Sequence, residues 1–376
     1  MSGVAASEPA GRLNGVDAAR GLALLGMFAV HLLPATGPDG ARTLAEEVAR
    51  GRSSAAFAVL AGVALALAHG RRTPLRGQAW AGASAGLLVR CLLIGLLGLL
   101  LGGLGSGLAI ILTYYALLFT FAVPLLPLGP RALAGLAVVV AIGVPVLSHV
   151  VRDDLPLKRG PSPALGDLGQ PGVLLTELSL TGYYPALAWL AYLAAGMAVG
   201  RLALERRPVA LALAVGGAVL AVGATVLSAL LISWAGDELP AGAGEQLMSG
   251  TTPATTAWWL VTAEPHSATP LDLAATIGSA LAVLGLMLLL EPVVGRALLP
   301  LAWLGSMTLT LYTLHALAVA DGVGPSDPEL LWVVHAVAAL VLATAVRRTN
   351  ARGPVEQFVS WLSHAAAARV TAPSSR

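Results

Sequence analysis

RLNGVDAARGLALLGMFAVHLLP, from Arg12 to Pro34, is the stretch whose reading decides the fold. An Asp17/Arg20 pair opens it, a run of apolar and small residues follows, and His31 lies near its far end. At 1.5 Å per residue the run is long enough to cross a hydrocarbon core of ~30 Å. Ionisable groups on such a helix cost on the order of 2.5 to 3.5 kcal/mol at mid-bilayer and less near its ends. They are kept where they face protein or a water-filled cavity, so the stretch reads as a spanning helix that also lines a site.

The rest of the chain extends that reading. Hydrophobic residues make up 57% of the 376 residues and charged residues 11%, with a mean hydropathy of +0.80. A soluble domain carries roughly 25% charge, which excludes that class. Apolar runs recur at about 18–34, 53–70, 82–102, 107–127, 132–150, 183–201, 208–234, 270–290, 298–319 and 329–346. The expected architecture is an all-α, polytopic integral membrane protein of about ten transmembrane helices. No removable signal peptide is read at the N-terminus. The net charge of +2 gives no reason to expect nucleic acid as a partner. The single cysteine, Cys91, excludes an intramolecular disulfide and a cysteine-based metal cluster, and no metal site is expected.

Starting the chain in the cytoplasm sorts the charges. Arg12, Arg71, Arg72, Arg76, Arg201, Arg206, Arg207, Arg347, Arg348 and Arg376 then fall on the inner side. Arg42, Arg50, Arg52, Arg152, Lys158 and Arg159 fall outside with most of the acidic residues, Glu245 among them, and on the balance of basic residues the positive-inside rule places both termini in the cytoplasm. This divides the chain into a cytoplasmic segment 1–11, a transmembrane domain 12–347 and an amphipathic cytoplasmic tail 348–376. The long loops lie outside. Residues 35–52 set Leu44 and Val48 against Glu46, Glu47 and Arg50, and residues 235–269 carry Trp258, Trp259, Glu264 and His266. Tyr114, Tyr115, Tyr183, Tyr184, Trp234 and Trp332 map near the outer interface, where such rings anchor helices. Gly82/Gly86, Gly98/Gly102 and Gly196/Gly200 have the spacing of close helix contacts.

Several ionisable side chains stand out against this apolar background. His31 lies three residues before Pro34 and His315 six before Asp321, roughly 5–10 Å below the outer surface. Either each is a hydrogen-bonded packing residue, or the two are placed for proton transfer near neutral pH. Arg90, well inside the third run, either snorkels to the inner face or meets an anion such as a phosphate. Asp17 and Arg20 are spaced to pair on one helix face. Arg52 either caps the outer start of the second span or binds an acceptor anion.

The motif Arg12-Leu-x-Gly-Val-Asp17-x2-Arg20-Gly21 through His31 resembles the opening helix of YeiB-like and heparan-alpha-glucosaminide N-acetyltransferase-like membrane proteins. Gly51-Arg52-Ser-Ser, Gly182-Tyr-Tyr-Pro with Trp189, Pro265-His266-Ser, Leu304-Gly305 through Tyr312 and His315, and Arg352-Gly353-Pro354-x-Glu356 extend the resemblance along nearly the whole chain. It implies a transmembrane O- or N-acyltransferase of a bacterial cytoplasmic membrane, using acetyl-CoA or another acyl-CoA from the inner side. The acceptor would be an amine or hydroxyl on an extracytoplasmic sugar or envelope component. Characterised relatives carry an essential histidine in the first outer loop. Residues 35–52 contain none, so His31 is the nearest substitute.

On this scheme His31 and His315 are catalytic, and Asp17, Arg20 and Arg90 hold the acyl donor. Arg52, Tyr183, His266 and Tyr312 contact the acceptor. The bilayer is a partner, and a homodimer stays open. A small-metabolite or lipid-linked-sugar transporter is the alternative, although no tandem repeat is legible. A non-catalytic scaffold is the third reading.

Overall fold

In hydrocarbon every backbone amide must find its partner within the protein, so runs of this length close as helices. The computed structural model describes residues 13–156, 162–240, 242–243, 248–349 and 351–371. The expected segment 1–11 lies outside the described residues, as do Arg12, Lys158, Arg159, Glu245 and Arg376. Among the described residues the chain is all-α, and β pairing is confined to an isolated bridge between Thr36 and Arg42. The helices are α1 (Asn14–Leu32), α2 (Leu44–Ala49), α3 (Arg52–Ala68), α4 (Gly77–Gly102), α5 (Leu112–Ala122), α6 (Pro130–Val151) and α7 (Pro171–Thr176). They continue with α8 (Ala186–Gly200), α9 (Arg207–Ala235), α10 (Pro270–Val294), α11 (Leu299–Gly305), α12 (Thr308–Ala320), α13 (Pro328–Arg348) and α14 (Pro354–Thr371).

Seven helical segments are long and apolar enough to span a bilayer, and three shorter ones accompany them, at Leu112–Leu125, Ala186–Gly200 and Thr308–Ala320. All fall on the runs read from the sequence. The short α8 is enclosed: Ala191, Leu193, Ala194 and Met197 have no exposed surface. The long α6, α9 and α13 instead present Val139, Ile142, Val219, Val222 and Val341 outward, the surface expected against lipid tails. Connections at one end of the bundle are short, and those at the other end are long.

The opening helix is locked in place by backbone contact. A Cβ on Gly305 of α11 would overlap the Asp17 carbonyl of α1, and one on Gly21 would overlap the Leu301 carbonyl. Glu291 of α10 accepts the Asn14 and Gly15 amides at 3.0 Å each, which satisfies two of the free N–H groups at the start of α1.

The run expected as one span at 298–319 is two helices. α11 stops at Gly305, the Ser306 amide turns back to Ala302 and Trp303, and α12 starts at Thr308. The freed amides of Leu309 and Thr310 donate to Glu356 at 2.7 and 3.0 Å, and the Thr310 hydroxyl donates to the same carboxylate. A carboxylate at a helix N-terminus meets both the open N–H groups and the positive end of the dipole. Glu356 belongs to α14, the helix formed by the tail. α14 lies along α4, where Gly82 and Gly86 let Thr371, Ala367 and Ser363 approach.

In the long-loop region the amphipathic pattern of α2 resolves with Glu46 buried and paired with Arg50 at 2.7 Å, while Leu44, Glu47 and Val48 are exposed. The Arg50 guanidinium also donates to the Met248 carbonyl, so the polar face packs on a neighbouring loop. The tyrosines expected as interface anchors turn inward instead. Tyr114, Tyr115 and Tyr184 are buried in an aromatic cluster with Trp189, whereas Trp234 stays exposed.

Candidate functional site

A cavity of about 420 Å³ opens between α1, α3, α4, α5, α12 and α14. Its walls are mainly apolar, with Met27, Phe57, Leu87 and Phe119 among them, and four basic side chains stand on them: Arg20, His69, Arg90 and His364. Arg20 is held by Asp17 at 2.7 Å. Asp17 is buried behind it and is not a lining residue, so it positions the guanidinium. Arg90 lies close enough to Arg20 for their charges to repel, and its side chain is accessible because it faces the open cavity. Arg20 has Asp17 beside it and Arg90 has Glu356 within charge range, and the two guanidiniums, with His69 and His364 on the same walls, suit an anionic ligand.

The two histidines share one geometry. His69 Nδ1 lies 3.0 Å from the Leu65 carbonyl and His364 Nδ1 lies 2.6 Å from the Ser360 carbonyl, so in each ring Nδ1 carries a hydrogen. Burial pushes His69 below its ordinary 6.5, against the pull of the Leu65 carbonyl, and Arg90 and Arg201 add to the lowering. The cavity thus offers fixed cations and imidazole rings together.

Farther along α1 and α12 lies a second constellation. His31 Nδ1 is 3.1 Å from His315 Nε2, and His315 Nδ1 is 2.9 Å from His335 Nδ1 of α13. Phe28 stacks on the His315 ring with centroids 3.9 Å apart. The three imidazoles form a chain rather than converging on a point. Among the described residues no group of three His, Cys, Asp or Glu side chains is arranged to hold a metal ion.

Tyr312 separates the two regions. It lines the cavity, its ring lies 6.4 Å from that of His31, and its hydroxyl accepts a long bond from the Ile111 amide. His31 and His315 are not lining residues of the cavity.

On the other side of the histidine chain, His266 packs against Tyr183 and Tyr184 at 4.7 and 5.6 Å and is near enough to His31 for their charges to interact. Its backbone is in the left-handed region at φ 61, as is Ala268 at φ 51, and its buried Nδ1 has no partner among the described residues. Strain of this kind persists only where the surroundings enforce it. Burial, with Arg50 and His31 adding, pushes His266 down to about 3. Arg52 stands apart from these rings: its guanidinium donates to the Glu47 carbonyl and closes the α2–α3 turn.

Sequence reasoning singled out Arg20, Arg90, Tyr312, His31 and His315 but missed His69, His335 and His364. His335 was within reach, because it lies seven residues after Pro328 as His315 lies six before Asp321, which puts both at one depth. His364 was not, because nothing but the Gly82/Gly86 spacing indicates a helix docked on α4.

The heparan-alpha-glucosaminide N-acetyltransferase catalytic family matches residues 12–232. The chain belongs to this family. It is accordingly a membrane acetyltransferase by family, with an acyl-CoA co-substrate implied by that membership. No curated protein matches it. The matched segment contains Arg20, His31, His69 and Arg90, while Tyr312, His315, His335 and His364 lie beyond it.

Proposed function

We propose that the chain takes acyl-CoA, most simply acetyl-CoA, into the basic cavity from the short-loop end and passes the acyl group to an amine or hydroxyl at the long-loop end. The supporting observation is that α1 and α12 each carry residues of both regions, with Tyr312 touching both. Arg71, Arg72, Arg206, Arg207, Arg347 and Arg348 at the short-loop end favour a cytoplasmic location for it, in a bacterial cytoplasmic membrane. The long loops at the other end, with Tyr183 and His266 beneath them, suit a sugar or envelope acceptor.

In this reading Arg20 and Arg90 bind the phosphates of the donor, and the apolar walls hold its arm so that the thioester reaches Tyr312. His31, with His315 behind it, is the general base. It takes the proton of the acceptor nucleophile as that atom bonds to the thioester carbon; the C–S bond then breaks and the thiolate leaves on the cavity side. Displacement of Tyr312 joins the two regions. The test uses purified protein, radiolabelled acetyl-CoA and glucosamine as acceptor. Label should move to the amine, and His31→Ala should stop the transfer while donor binding persists. Unchanged transfer in His31→Ala removes the proposed base.

A transporter is the second reading, favoured by the broken α11–α12 helix beside the cavity, since interrupted helices often mark transport sites. Substrate flux into proteoliposomes without thioester cleavage supports it over acyl transfer.

A further inference from the structure

His315 has both ring nitrogens engaged, one toward His31 and one toward His335. A neutral imidazole carries one N–H, so the hydrogens in these two bonds are not independent. In one register His31 donates through Nδ1 to His315 Nε2, His315 donates through Nδ1 to His335 Nδ1, and His335 holds its hydrogen on Nε2. His31 Nε2 then has a free lone pair. In the other register every hydrogen moves one place, and His31 Nε2 carries a hydrogen and is no base.

We propose that His335 is a positioning residue which selects the first register and so keeps His31 Nε2 able to accept a proton. This rests on the reading of His31 as the base. The arrangement does the work of the carboxylate in a triad without placing a fixed charge in the bundle. When His31 Nε2 takes the proton of the nucleophile, its Nδ1 hydrogen shifts to His315 Nε2, and the His315 Nδ1 hydrogen shifts to His335 Nδ1. Three protons each move one place, no atom is lost, and the positive charge ends on His335. His315, the middle ring, is 3% exposed, whereas His335 is half-buried on α13. The shift takes the charge off the most enclosed of the three rings. The reverse shift brings the proton back to His31 Nε2, from which it passes to the departing thiolate, leaving all three rings neutral for the next turnover.

The neighbours on each packed element hold the three rings in line. α1 supplies Phe28, stacked on His315 and edge-on to His335 at 6.4 Å, and α12 supplies Tyr312 beside His31. α13 contributes Trp332, whose indole N–H donates to the Leu25 carbonyl at 3.4 Å, which fixes the face carrying His335 toward α1.

The experiment is nitrogen-15 spectroscopy of histidine-labelled whole protein, with acetyl-CoA turnover measured on the same samples. The wild type should show His31 hydrogenated at Nδ1. His335→Leu should mix the two His31 tautomers and lower kcat roughly tenfold or more with an unchanged donor KM. His335→Asn, whose amide oxygen can still accept from His315, should restore the tautomer but only part of the rate. A wild-type His31 hydrogenated at Nε2 overturns the proposal, as does a His335→Leu spectrum identical to wild type. If the tautomers are coupled but no thioester is consumed, the chain stands and the acyltransferase reading falls. If acyl transfer proceeds with an uncoupled His31, the reverse holds. Should His335→Leu fail to fold, the wild-type tautomer and His335→Asn decide alone.

Discussion

Beside the cavity, Arg20 of α1 and Arg90 of α4 are cations facing open space; about three turns farther along α1, the imidazoles of α1, α12 and α13 pack ring to ring. Arg20 and Arg90 border a cavity of about 420 Å³, whereas His315 is sandwiched against Phe28 at 3.9 Å. The difference teaches how a membrane bundle admits polar chemistry. Permanent charge is placed where the ligand or water can reach it, and the closely packed end uses groups that satisfy one another while neutral. The cavity is thus a binding device and the histidine chain a proton device, and each can be broken separately.

The largest expected effect separates rate from binding. His31→Ala should lower kcat by about 10² to 10⁴, the usual worth of a general base, and leave acetyl-CoA affinity within about twofold, since His31 is not a cavity-lining residue. Arg90→Gln should do the converse: donor affinity falls roughly 10- to 100-fold, as expected for a charge-assisted hydrogen bond, and kcat changes little. Equilibrium binding and steady-state kinetics on both variants check the division. A kcat loss in Arg90→Gln equal to that in His31→Ala would merge the two regions into one.

Glu356 tests whether the cavity depends on the tail. Its carboxylate takes two amides and a hydroxyl at the start of α12, so Glu356→Ala should cost about 2 kcal/mol of stability, the upper range for a helix cap. Because Thr308, Leu309 and Tyr312 line the cavity, donor affinity should fall with it, measurable by titration below the unfolding midpoint. Loss of stability with intact donor binding would show that the cap holds the helix but not the site.

The sequence made the membrane architecture and part of the site legible for one reason: charge in hydrocarbon is costly, so Arg20, Arg90, His31 and His315 stand out against their background. The same logic fails where cost is hidden. The α11–α12 break leaves little trace in hydropathy, because Gly305, Ser306 and Met307 are ordinary in a spanning run and the cap comes from Glu356, some fifty residues away. The amphipathic pattern of α2 gives two faces and not which one is buried. Tyr114 and Tyr184 were read as anchors because a ring with one polar atom suits the interface and a hydrogen-bonded core equally well.

The smallest effect concerns the neutrality of the histidine-rich end. His266 is buried and held down at about 3, against an ordinary value of 6.5 in the unfolded chain. Its surroundings are Tyr183 and Tyr184 of the segment leading into α8, the Glu46–Arg50 pair of the α2 region, and His31 of α1. Between those two pKa values the unfolded chain binds a proton that the folded chain refuses, so stability falls as pH drops through the window. A single such group costs about 1.4 kcal/mol between pH 7.5 and 5.5. His266→Asn keeps a small polar side chain in the strained left-handed position, which asparagine tolerates, and removes the titration. Unfolding midpoints of both proteins at pH 7.5 and 5.5 should converge toward acid, the variant losing less than the wild type. Parallel loss in the two proteins would mean that the folded chain protonates His266 as readily as the unfolded one, and the long-loop end would then be able to carry charge much as the cavity does.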